Sequence, residues 1–401
     1  MKSATEPIQL WATPATAHHQ DSPYKPMTAD ETHSSPRPLG VLVVAGARPN
    51  FIKIAPLMEE FRARASFHCR LVHTGQHYDR AMSENFFRDL GIPEPDINLG
   101  VGSGSHGEQT GKVLIQMEAL LEEQRPDVLV VVGDVNSTLA ASLAAVKLQI
   151  PIAHVEAGLR SGDRSMPEEI NRILTDAIST WLFTTEPDAD ENLRHEGIAP
   201  ERVHRVGNVM IDTLLRNLER ARKLDTLEDL GLKPGGYALL TLHRPSNVED
   251  SEKLQALFAA LEEIHRELPI IFPVHPRTAA AIEAHLGGIQ PALRNTEPLN
   301  YLDFLRLMAD AKLVLTDSGG IQEETTALGV NCLTLRDNTE RPITVTEGTN
   351  TIVGSHPEVI LSETRKILGG ESKTGRIPEL WDGGAARRIV DIIERDLRSR
   401  S

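Results

Sequence analysis

Past residue 40 the chain alternates between two rhythms of apolar positions. Short runs at 41–45, 70–74, 128–132, 152–155 and 181–184 are largely apolar, several on both faces, as strands buried in a parallel sheet are. Between them, stretches such as 107–123 and 136–147 repeat apolar residues at helical spacing. Strand–helix–strand units in series make an open, doubly wound parallel sheet. A charged helical stretch over 212–230 and the turn Lys233-Pro234-Gly235-Gly236 break the series, which restarts with strands expected at 237–242, 270–274, 313–316 and 332–335. The pattern predicts an α/β protein of two Rossmann-like doubly wound domains facing a cleft, one over 38–208 and one over 209–401. A last helix near 384–398 could pack on either, including back on the N-terminal domain. Residues 1–37 hold Pro14, Pro23, Pro26 and Pro36 among Ser, Thr and His with no apolar period, and are expected to be a disordered tail.

Composition narrows the partners. The 401 residues carry a formal net charge of −15, which repels polyanions and argues against nucleic acid or an anionic membrane. A phosphate-bearing ligand therefore needs a local basic pocket. Cys69 and Cys332, the two cysteines, both sit in apolar runs; this is no disulfide framework and suits a reducing cytoplasm. No apolar run approaches the ~20 residues of a membrane span, and no signal-peptide pattern opens the chain.

Ligands of doubly wound sheets bind beyond the carboxyl ends of the strands, so residues just after each expected strand are the candidates for chemistry. Gly46-Ala47-Arg48-Pro49-Asn50 follows the first strand and opens a helix that continues through Lys53; Arg48 can fork onto a phosphate at a helix N-terminus. The same segment also suits an ordinary strand-to-helix turn. Asp134 ends another strand, where it either faces the cleft or caps the next helix. Strand alternation puts His154 and Glu156 on one face, and a glutamate ending a buried strand is costly unless paired or functional. Pro167 suits a first helical position, and Glu168, Arg172 and Asp176, each four apart, share a face as an active cluster or a surface ladder.

In the second half, His243 and Arg244 follow a strand and suit a diphosphate, although a structural histidine is the alternative. Asp317-Ser318-Gly319-Gly320 leads from a strand directly into a helix, a phosphate cradle of exposed N–H groups. Glu324, one turn in, can accept from ribose hydroxyls, and residues 336–342 add polar groups. His275 reads better as structural. Gly102 to Gly107 satisfies G-x-G-x-x-G, but Asp127, about 20 residues on, begins a strand rather than ending one, so no dinucleotide cofactor is expected. None of the 15 histidines has metal-site spacing, so no catalytic metal is expected either.

Segments 46–49, 133–134, 154–160, 167–172, 243–244, 317–324 and 339–342 together resemble, in order and spacing, the non-hydrolysing UDP-N-acetylglucosamine 2-epimerase family. The resemblance implies a GT-B-like fold, a UDP-sugar substrate held mainly by the C-terminal domain, a cytoplasmic homodimer and no NAD. It implies reversible C2 epimerisation by elimination and re-addition of UDP, supplying a precursor for surface polysaccharide. Asp134, Glu156 and Glu168 match the family's catalytic carboxylates, and His243 its histidine beside the leaving UDP. Arg48, Lys53 and Arg172 match residues around the substrate and its diphosphate; Ser318, Gly319, Gly320 and Glu324 match diphosphate and ribose contacts. Asn50 departs from the family, standing where many members have Glu. Some members are activated by a second sugar nucleotide held through a Gln-His segment with a further glutamine; here Gln76-His77-Tyr78-Asp79-Arg80 puts Asp79 in place of that glutamine, so the activation is expected to be lost. A hydrolysing relative, an enzyme of UDP-diacetamido-uronic acids, a GT-B glycosyltransferase and a non-catalytic binding protein are the competing readings.

Overall fold

A computed structural model describes residues 37–75, 90–92, 94–274, 276–287 and 293–400. Nearly all of the expected tail lies outside the described residues, as do 76–80 and His275.

The alternating rhythms fold into two all-parallel sheets. The first contains β1 (Leu39–Ala45), β2 (Phe67–His73), β3 (Ile97–Asn98), β4 (Val128–Val132), β5 (Ile152–Ala157), β6 (Trp181–Thr184) and β7 (Val203–Arg205), in the order β3-β2-β1-β4-β5-β6-β7. The second contains β8 (Ala238–Thr241), β9 (Ile270–Pro273), β10 (Arg294–Thr296), β11 (Leu313–Thr316), β12 (Asn331–Thr334) and β13 (Asn350–Ile352), in the order β10-β9-β8-β11-β12-β13. The architecture is that of the GT-B-like fold. Strands β3, β7, β10 and β13 are two or three residues long, too short to show a period, and pattern reading misses all four.

Both faces of the first sheet are covered, which is why its strands read as unbroken apolar runs. Val41 and Val43 of β1 and Val128 and Val130 of β4 pack with Phe51, Ile54 and Leu57 of the helix Arg48–Arg62. Leu42, Val44, Leu129 and Val131 pack the other way, with Val113, Met117 and Leu121 of the helix His106–Gln124. Each fully buried side chain of this kind contributes roughly 1.5–3 kcal/mol.

In each sheet the strand order reverses direction at one place, between β1 and β4 and between β8 and β11. That crevice beyond the carboxyl ends is where doubly wound sheets bind ligands.

Two stretches of chain run between the sheets: one after β7, the other leading to the final helix, Ala385–Arg400. That helix packs on the Arg48–Arg62 side of the first sheet through Ile389, Val390 and Ile393. Arg64 pairs with Asp391 at 2.7 Å, and the Trp181 indole donates to Asp396 at 2.8 Å. The two stretches touch. Gly207 has φ +89°, and a Cβ there would sit 2.0 Å from the Leu380 carbonyl oxygen, so no side chain fits. Arg388 then donates to the carbonyls of Val206 at 2.9 Å and Leu380 at 3.3 Å. Among the described residues no helix is long and apolar enough to cross a membrane.

Candidate active site

A cleft of about 1030 Å³ lies at the strand-order reversals of the two sheets, with Lys53, Asp134, Glu168 and Arg172 on one wall and His243, Arg244, Ser318–Gly320 and Glu324 on the other. It is large enough for a sugar nucleotide. Glu156 lies behind the first wall, and Arg48 starts its helix, although its side chain is outside what is described.

Local sequence explains the first wall. Strand β4 runs into Gly133, whose φ of +68° an L side chain adopts only with strain. Asp134 follows at the cleft. Asn50 accepts from the backbone of Gly46 at 3.2 Å and Ala47 at 3.0 Å, and its amide donates to the Val132 carbonyl at 3.0 Å. A glutamate at this family position could not make that donation as a carboxylate, so Asn50 ties the turn after β1 to the end of β4 in its own way.

Glu156 corrects the alternation argument. The register of β5 against β6 shifts between Val155 and Ala157, and Glu156 takes φ +70°. This bulge re-aims its carboxylate to Lys53, on the helix that covers the opposite face, and to Arg341 at 2.8 Å. His154 stays on its own face, with Nδ1 at 2.6 Å from Asp176 and Nε2 at 2.9 Å from the Gly133 carbonyl. The two side chains do not share a face. A left-handed glutamate costs on the order of 1–3 kcal/mol, and two buried cations hold it there.

The face shared by Glu168, Arg172 and Asp176 is not paired as a ladder. Arg172 pairs with Glu169 and, at 3.0 Å, with Asp134. Asp176 serves His154 and Arg160 instead. Glu168 lines the cleft and makes no hydrogen bond or ion pair to another described residue. Burial pushes the Asp134 carboxyl up, but Arg172, Lys53 and Arg341 outweigh it and hold it below the usual range, as a carboxylate.

On the second wall, Ser318 precedes the helix Gly319–Leu328, and its side chain takes no capping bond. The first-turn N–H groups of a helix have no partners within the helix and face anions well. His243 stands beside this turn with Nδ1 2.9 Å from Asp317. Arg244 reaches Glu340 at 3.2 Å. Burial first, then Glu323, raises Glu324 to about 8, partly offset by the Tyr301 hydroxyl at 3.4 Å.

Sequence reasoning missed the ionic floor joining the walls. Arg341 contacts Glu156 and, at 3.0 Å, Glu323; Glu340 contacts Arg336 at 2.7 Å and lies 3.9 Å from Arg172. Burial raises Glu340, but Arg341 and Arg336 pull it well below the carboxylate range. The available signal was two adjacent opposite charges, Glu340 and Arg341, in a segment that offers polar groups and shares in the family resemblance but names no pairing.

Comparison with known proteins agrees with this geometry. The family model described as UDP-N-acetylglucosamine 2-epimerase matches residues 59–394. A UDP-N-acetylglucosamine 2-epimerase of Methanococcus maripaludis is 42% identical over 362 residues, covering 88% of this chain and 97% of the relative. A UDP-2,3-diacetamido-2,3-dideoxy-D-glucuronate 2-epimerase of Pseudomonas aeruginosa is 41% identical over 360 residues, covering 88% and 99%. The crystal structure of the Methanocaldococcus jannaschii UDP-GlcNAc 2-epimerase with UDP-GlcNAc and UDP superposes with a TM-score of 0.82 at 42% identity, covering 89% of this chain and 100% of that one. Family model, sequence relatives and solved structure converge, and the chain belongs to the UDP-N-acetylglucosamine 2-epimerase family.

Proposed function

We propose that the chain interconverts UDP-N-acetylglucosamine and UDP-N-acetylmannosamine without hydrolysing them. The observation that carries this reading is the division of the cleft: carboxylates Asp134 and Glu168 on one wall, and His243 with the Ser318–Gly320 turn on the other.

C2 of the sugar has no neighbouring carbonyl, so its proton is barely acidic in the ground state. Departure of UDP from C1 builds positive charge at the anomeric carbon and makes that proton removable. A carboxylate takes it, leaving UDP and a 2-acetamidoglucal. Protonation of C2 from the opposite face and return of the UDP oxygen to C1 give the epimer, with atoms and charge balanced. Acid/base groups are needed on both ring faces, and each such group contributes roughly 10²–10⁴-fold. Of the three expected carboxylates, Asp134 and Glu168 line the cleft, and Glu156 acts from behind through Lys53. His243, Arg244 and the helix N-terminus stabilise the departing diphosphate. Glu324 accepts from the ribose.

The Pseudomonas aeruginosa relative, at nearly the same identity, supports a second reading with a diacetamido-uronic acid as the sugar. The test incubates EDTA-treated protein with UDP-N-acetylglucosamine in D₂O and follows products by NMR. Deuterium at C2 of UDP-N-acetylmannosamine is the expected result. Free N-acetylmannosamine would place the chain with hydrolysing enzymes, and turnover of the diacetamido-uronic acid nucleotide alone would select the second reading. We read the chain as a homodimer, which exposed Ile115 and Leu174 on the helices His106–Gln124 and Pro167–Ile178 support and light scattering tests.

A further inference from the structure

We infer that Asp317 is a positioning residue that fixes the tautomer and direction of His243. The kinetic part of this inference rests on the function proposed above; the structural part does not.

Asp317 is fully buried at the carboxyl end of β11, beside β8. Its carboxylate accepts from the backbone N–H of His243 at 3.0 and 3.2 Å and of Arg244 at 2.8 Å, and from the Asn247 amide at 3.2 Å. The ring nitrogen Nδ1 of His243 lies 2.9 Å from the same carboxylate. All these donors belong to the segment that follows β8. One side chain thus gathers the whole turn carrying His243, and the next residue, Ser318, begins the phosphate-facing helix. Asp317 joins the two elements that face a diphosphate.

A carboxylate can only accept, so the hydrogen between Asp317 and Nδ1 belongs to the ring. Burial raises Asp317, but the hydrogen bond and charge of His243 and the backbone donors outweigh it and keep it ionised. With Nδ1–H committed, Nε2 is the nitrogen left for the cleft, where it can meet a diphosphate oxygen. The other carboxylate–imidazole pair, Asp176 with His154, makes the contrast. His154 is fully buried and its Nε2 lies against the Gly133 carbonyl, whereas the His243 side chain is 51% exposed. The same unit is sealed in one place and offered to the cleft in the other.

The test labels the full chain with ¹⁵N-histidine and reads ring nitrogen shifts by NMR, with His243→Gln assigning the signals. In the parent protein the neutral His243 ring should carry its hydrogen on Nδ1. In Asp317→Asn, the side-chain oxygen stays with the backbone donors and the amide N–H meets Nδ1, so the proton should move to Nε2. Turnover should fall by roughly 10²–10⁴-fold with little change in KM. In a His243→Gln background, Asp317→Asn should lower turnover no further. An unprotonated Nδ1 in the parent protein overturns the inference, and this arm holds even if Asp317→Asn does not fold. So does an undiminished effect of Asp317→Asn in the His243→Gln background. The expected NMR result in a protein that turns over no UDP-sugar would sink the proposed function and leave the positioning role standing.

Discussion

The Arg341 guanidinium donates to the Glu156 carboxylate at 2.8 Å, joining the connection between β12 and β13 of the second sheet to the bulged end of a strand in the first. Both are buried, and Arg341 also serves Glu323. Truncating one member of a buried pair leaves the other charge uncompensated, at about 3–5 kcal/mol. Arg341→Met should therefore lower the urea midpoint by a corresponding amount. Arg341→Lys keeps the charge but loses the fork, and should fall between. An unchanged midpoint in Arg341→Met would show that the pair holds nothing together.

Glu324 predicts a pH signature. Burial raises its carboxyl from 4.5 to about 8 in the fold. The protonated form is the one the fold favours, so its contribution is complete below about pH 4.5 and lost as pH rises through about 8. Glu324→Gln stays neutral throughout. Relative to the parent, it should gain stability between pH 4.5 and 8, on the order of 5 kcal/mol in total at ~1.4 kcal/mol per pH unit. Melting temperatures of both proteins across that range are the measurement; parallel curves would refute the raised value.

The free carboxylate and the paired one should respond differently to amide substitution. Glu168→Gln removes a group with no ion pair or hydrogen bond among the described residues and should lower turnover roughly 10²–10⁴-fold with UDP affinity retained. Asp134→Asn also disturbs Arg172, 3.0 Å away, and should lower both turnover and stability. Calorimetric titration with UDP beside steady-state kinetics separates the two. If Glu168→Gln abolishes UDP binding in a folded protein, Glu168 is a binding residue instead.

The glycines of the phosphate-facing turn are not equivalent. A Cβ on Gly319 would sit 2.6 Å from the Arg341 guanidinium, itself pinned by Glu156 and Glu323, so Gly319→Ala cannot be relieved cheaply. A Cβ on Gly320 would meet the flexible end of Met210 at 2.9 Å, which can move aside. UDP affinity should drop about tenfold, or about 1.4 kcal/mol, in Gly319→Ala and much less in Gly320→Ala. Equal affinities in the two variants would count against the cradle.

Much of this arrangement was legible because doubly wound sheets put their chemistry at strand ends. Asp134, His243 and Ser318, far apart in the chain, could each be placed at the carboxyl end of an apolar run, and they line one cleft. Glu156 was legible as a charge too costly to bury idly, but not its direction, because a one-residue bulge leaves no mark in an apolar pattern. Arg172 was legible as a paired cation, but its partners come from i−3 and from another strand end rather than from i±4. The short edge strands were not legible, since two or three residues carry no period. Asp317 was quoted as part of a motif, yet its work is done toward a segment some 70 residues earlier, a relation that only the β8–β11 pairing brings about.

The contact between Gly207 and Leu380 has a mechanical consequence. A body made of two parts tied at two separated points is rigid, but here both ties pass through one spot, stapled by Arg388 to the carbonyls of Val206 and Leu380. Such a joint brings the two covalent connections to one place, close to the cleft-lining Met210. It also tolerates a cut. A nick in either strip of backbone leaves the parts fastened by the other, so a protease that severs the chain there should yield two fragments that travel together until denaturant separates them.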